Sequence, residues 1–478
     1  MPPLHPLLEP YQPTDLDPFD EVKASHLLNR AGFGGTPLEV SQIVKLGPVS
    51  AASALLDFPD KAADEQNPKD VPDMSAIVGY PKTFRELREM FAGKTQQERQ
   101  KLQQMFQKAN VQADAADLNW WLHRMAYGPH PLQEKLTLFW HGHFTTSARD
   151  ERMSLLMWEQ QELLRKMAAG DFGQFVRAIS RDPAMLDYLN NTQNHKGHPN
   201  ENYARELMEL FTLGIGNYTE DDVKESARAF TGWTHDGDQF IFNRNQHDSG
   251  SKTFLGKTGD FDGDDIITII LAQPACPKFV ASEIFSYFVY DELEEGLSDS
   301  LGDAFAAGNL QVRPLMQTIF ASRAFYSSKA IGAQIKSPIQ LVIGTCRLLG
   351  IDVPPVQMLR GPLNSMGQMP LLPPNVKGWP GGRQWINAST LFSRYNTAVF
   401  LASGKAPGNA QPLQTALAAD PGGPDKLVDT WVRRLIGRPI DPAQRDVLLD
   451  AAKTDGTPEQ VARHVVQLIV SMPEYQLC

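Results

Sequence analysis

Residues 200 to 232 are punctuated as two consecutive helices, and this stretch constrains the fold more than any other. Asn200 is a candidate N-cap and Gly214 a C-cap for the first helix. Thr219 stands three residues before Asp222, a capping-box variant, with Tyr218 and Val223 placed as a hydrophobic staple. That second helix ends at Gly232. Similar signals recur elsewhere. Asp17-Pro18 opens a helix through Asn29, Thr36-Pro37 opens the next, and Gly128-Pro129 separates a long Gln- and Lys-rich helix from one that starts at Pro131 and ends near His141. Residues 238–265 are rich in glycine turns and read as short strands. The expected fold class is all-α. A main helical domain spans 18–402 with a β-hairpin insertion at 238–265, a C-terminal helical module covers 425–478, and 1–17 form an extended Pro-rich arm.

Composition narrows the partners. A net charge of −11 opposes a nucleic-acid surface, which needs a basic excess. Cys276, Cys346 and Cys478 are far apart and odd in number, so neither a disulfide framework nor a CxxC metal knuckle is expected. No apolar run approaches the ~18 residues of a membrane span. The N-terminal segment carries neither a basic region nor an apolar signal core. The chain as it stands reads as cytoplasmic, or as periplasmic or secreted if a signal has been removed.

Eight of the eleven histidines lie between His123 and His247, which places the candidate site in that quarter of the chain. Projected at 100° per residue, Asn202, Glu206 and Glu209 fall within about 60° of one another on the 200–214 helix, flanked by Arg205. Such carboxylates can bind a cation or divide into acid and base. His141 and His143, in FWHGHF, would chelate one metal from an extended segment and diverge in a continuing helix. His195, His198 and Glu201 approach the helix N-terminus, and His247-Asp248 with Lys252 lie in the hairpin region. The loop GWPGGR carries Trp379 and Arg383 on a glycine-hinged segment that resembles a lid. Together these residues point to a metal-dependent hydrolase. His141, His143, Glu206, Glu209, His247 and Asp248 would supply ligands for zinc, iron or manganese, and Glu201, Arg205 and His195 the catalytic groups. The alternative is a metal-free, polysaccharide lyase-like enzyme working on sugars or other polyols and drawing on Asn194, His195, Tyr203, Arg205 and Glu206.

Long segments also resemble a known family. HLLNRAGFGGTP, FWHGHF, PNENYARELMELFTLGIGNYTEDDV, ARAFTGW, HDSGSKTFLG, KSPIQLV and NVKGWPGGRQWI together are similar to the bacterial domain-of-unknown-function family 1800. The resemblance implies a large, mainly helical protein. Genes of that family often neighbour those of a second uncharacterised family, numbered 1501, whose members resemble sulfatases. This implies a third reading: a non-catalytic partner of a sulfatase-like protein.

Overall fold

The computed structural model describes residues 3–67, 71, 72, 77, 80–149, 153–418 and 422–478. Local signals set most helix ends. Thr36 and Glu39 exchange both capping-box bonds at the start of the Pro37–Leu56 helix. Thr219 and Asp222 do the same for Glu220–Ala229. The first helix runs over Glu21–Arg30 and is capped by Asp20, three residues later than Asp17 suggested, because Asp20 reaches the amides of Val22 and Lys23. The fold is all-α with a small β-hairpin region. Among the described residues the strands form two antiparallel pairs, Trp233–His235 with Phe240–Phe242 and Lys252–Phe254 with Lys257–Gly259.

Among the described residues, the buried apolar side chains form two cores. One joins the Glu21–Arg30 and Pro37–Leu56 helices to the middle of the chain as far as Ala330, and the other joins Gln96–Tyr127 and Pro338–Leu349 to the C-terminal helices. The Pro131–His143 helix serves both, burying Leu132, Leu136 and Trp140 in the first and Leu138 in the second. A helix packed on several sides buries its polar residues too, and Gln133, Glu134, Lys135 and Thr137 all lose their solvent. The C-terminal helices bury Val428, Trp431 and Ile469 in the second core beside Ile343 and Leu401, so they share a core with the body. The N-terminal arm packs down as well. Leu8 and Tyr11 are buried, and the Tyr11 amide donates to the Ala321 carbonyl at 2.7 Å. No helix among the described residues is long and apolar enough to cross a membrane.

Candidate functional site

The Pro131–His143 helix continues through Gly142, so the two histidines of HGH point in different directions. His141 Nε2 accepts the Leu371 amide at 3.0 Å, with its ring edge-on to Trp121 and Trp379. His143 Nε2 donates to the Phe211 carbonyl at 3.0 Å. Desolvation pushes both imidazoles down to about 4, so both are neutral at pH 7.

The helix carrying the expected carboxylates changes character midway. Asn202–Glu206 is α-helical and Leu207–Thr212 is a π turn, which rotates Glu209 away from its ideal projection. Glu206 is half-buried, and its carboxyl is raised by desolvation and then by Glu209, against the pull of Lys377 and Arg205. Glu209 accepts the Tyr218 hydroxyl at 3.1 Å and shares a pocket of about 330 Å³ with His143, Glu283 and Lys377. Arg205 turns elsewhere. It binds both oxygens of Glu220 at 2.8 Å and reaches Glu201 at 3.1 Å. His195 and His198 close an exposed turn on each other's backbone. His247 Nδ1 donates to the Thr231 carbonyl at 3.0 Å. Asp248 is ion-paired with Arg228, whose hydrogen bond holds its carboxyl at about 2. Lys252 is buried and donates to the carbonyls of Asp248 and Gly250.

The structure thus brings His143 and Glu209 into one pocket, with Glu206 near enough to Glu209 to feel its charge but outside the lining. It leaves His141 and His195 in local contacts of their own, pairs Glu201 with Arg205, and ties His247 and Asp248 to Thr231. Among the described residues, no three His, Cys, Asp or Glu side chains gather closely enough to hold a metal ion.

A larger cavity of about 620 Å³ opens beside that pocket and shares Gly142, His143, Glu283 and Lys377 with it. Helical spacing builds two walls. Lys135, Phe139 and His143 line it from Pro131–His143, and Glu283, Tyr287 and Tyr290 from the Ala275–Phe288 helix and the residues after it. The GWPGGR loop supplies Trp379 and Arg383. Lys135 is 4% exposed. Its Nζ donates to Gln340 Oε1 at 2.7 Å and lies 5.0 Å from the centre of the Phe33 ring. Burial brings its ammonium down to about 7; negative charge at Cys478 opposes the shift and Arg30 adds to it. Glu283 is exposed on its outer side, yet the protein packed around it desolvates it and Asp291 repels its charge, and its carboxyl is raised. Burial raises the Tyr287 phenol, which stays protonated. Arg30, at the end of the first helix, also lines the cavity.

Sequence reasoning missed Arg30, Lys135, Glu283 and Tyr287. A weak signal existed: Lys135 is a lone cation between Leu132, Leu136 and Phe139, and a charge on an apolar helical face is either mispacked or in use. Neither a curated protein nor a solved structure matches the chain. A family model described as "Protein of unknown function (DUF1800)" matches residues 26–477, nearly the whole chain, and the protein belongs to that family.

Proposed function

We propose that this protein is an enzyme that moves protons in the 620 Å³ cavity, with Lys135 as the proton acceptor and Glu283 as the donor. The observation that carries the reading is one cavity lined by an amine brought down to about 7 and a carboxyl raised from its usual range. A lowered amine and a raised carboxyl in one cavity can divide base and acid roles. Burial favours the free amine of Lys135, and desolvation with the charge of Asp291 favours the protonated form of Glu283. Trp379, which is partly exposed, lines the cavity and gives it an aromatic wall for a small substrate. This is closest to the metal-free, lyase-like alternative, carried by different residues.

The test is agnostic to substrate. The protein is incubated in deuterium oxide with panels of small carboxylates, sugars and sugar acids. Mass spectrometry then follows deuterium uptake or loss of water. Turnover that survives chelator and disappears in Lys135→Met supports the reading; turnover unchanged in Lys135→Met sinks it. Metal-dependent hydrolysis would replace it if plasma mass spectrometry found near-stoichiometric zinc, iron or manganese that was lost in folded His143→Ala/Glu209→Gln.

A further inference from the structure

We propose that Arg30 holds the anionic end of a ligand in this cavity, and that the enzyme's substrate is a small hydroxy or sugar carboxylate. The substrate class rests on the proton-transfer reading above, whereas the anion subsite does not.

Arg30 is 2% exposed. Its Nη2 donates to the carbonyls of Val289 at 3.1 Å and Ala330 at 2.8 Å, which fixes the guanidinium plane. Nε and Nη1 are sealed from solvent and have no hydrogen-bond partner. Negative charge at Cys478 and Asp291 acts on it from a distance, but among the described residues no carboxylate forms an ion pair with it. A purely structural arginine would use its donors on protein oxygens, and a buried cation is ordinarily paired. This one lines a cavity with two donors unmatched, which a ligand must uncover to reach, and guanidinium is the side chain best suited to a planar carboxylate.

The rest of the lining limits the ligand's charge. With Lys135 as free amine and Glu283 protonated, Arg30, Lys329, Lys377 and Arg383 line the cavity with Asp291 and Glu292, a modest cationic excess in a chain of net charge −11. A single anionic group fits that balance, while a polyanion would meet two carboxylates. Placing a carboxylate on Arg30 beside the Lys135 amine also gives the base an acidic proton to remove. The proton on the carbon next to the carboxylate passes to Lys135 Nζ, and its electron pair forms a C=C bond. The β C–O bond breaks with its pair on oxygen, and that oxygen takes the Glu283 proton. Arg30 stabilises the charge that builds on the carboxylate during the first of these movements.

Isothermal titration of the full chain with glucuronate, glucose and sulfate tests the subsite without turnover. Glucuronate is expected to bind at least about tenfold more tightly than glucose and to be displaced by sulfate. Arg30→Lys should weaken binding and Arg30→Met abolish it. Equal affinity for glucuronate and glucose, no binding at millimolar glucuronate, or unchanged binding in folded Arg30→Lys overturns the proposal. If Arg30→Met does not fold, the wild-type comparison and Arg30→Lys decide it. Glucuronate binding without deuterium uptake keeps the subsite and removes the proton-transfer reading. Turnover confined to neutral sugars overturns the substrate class.

Discussion

A β-carbon placed on Gly378 would lie 2.4 Å from the Gly142 carbonyl oxygen. The loop carrying Lys377 and Trp379 therefore crosses the end of the histidine helix with no room for a side chain, and Gly378 also holds a φ of +73°. Gly378→Ala should unseat the loop and cost ~1–3 kcal/mol. Thermal denaturation gives the loss, and tryptophan fluorescence should report a more solvated Trp379. A variant with unchanged melting and emission would show that the crossing is not tight.

Glu134 lies among cations. Its carboxylate accepts from Trp121 Nε1 at 3.0 Å, Arg124 Nε at 2.5 Å and Arg165 Nε at 3.1 Å, all out of solvent. Burial raises the carboxyl, but Arg165 and Arg124 outweigh it and leave it lowered. Glu134→Gln removes the charge and leaves Arg124 short of a counter-ion, at an expected cost of ~3–5 kcal/mol. Urea unfolding measures it, and a loss below ~1 kcal/mol would mean that water or rearranged side chains replace the carboxylate.

Lys135 makes stability depend on pH on the alkaline side. Its folded value, about 7, lies below its ordinary 10.5, so between those values the unfolded chain binds more protons. Stability must rise with pH through that window and be insensitive to this group below it. Relative to Lys135→Met, the wild type should gain ~3 kcal/mol between pH 7 and 9.5. Parallel stability curves for the two proteins across that range would refute a neutralised amine.

The two helix-end histidines act at the opposite end of the scale. Each folded value is about 4 against 6.5, so the unfolded chain takes up protons first as the solution is acidified. Stability should fall between pH 6.5 and 4 by up to ~3 kcal/mol for each ring, and no further from these groups below that. His141→Gln, which can keep an acceptor for the Leu371 amide, should flatten the slope by about half. The check is the denaturation midpoint at pH 7, 5.5 and 4, with an unchanged slope in the variant as the contrary result.

Helix boundaries were the most readable part of the chain, because Thr36, Thr219 and Asp222 act on backbone amides a few residues away. The meeting of the HGH helix end, Glu209 and the GWPGGR loop was partly readable, since the first two lie in stretches dense in polar residues and the loop sets a tryptophan and an arginine among glycines. The angular position of Glu209 was not, because a π turn from Leu207 changes the residues per turn that the projection assumed. The divergence of His141 and His143 depended on whether the helix ran through Gly142, which tertiary packing decides. Arg30 and Glu283 could not have been grouped by spacing, as more than half the chain separates them.

That separation also has a consequence during synthesis. The carbonyls that hold the Arg30 guanidinium belong to Val289 and Ala330, which follow it by 259 and 300 residues. At ~5–20 residues per second, the ribosome needs roughly 15–60 s to deliver them after Arg30 is made. Through that interval the first helix cannot dock as it does in the finished protein. A nascent chain of this kind keeps an unpaired cation beside an unburied apolar face, the sort of surface that chaperones hold until the last wall of the cavity arrives.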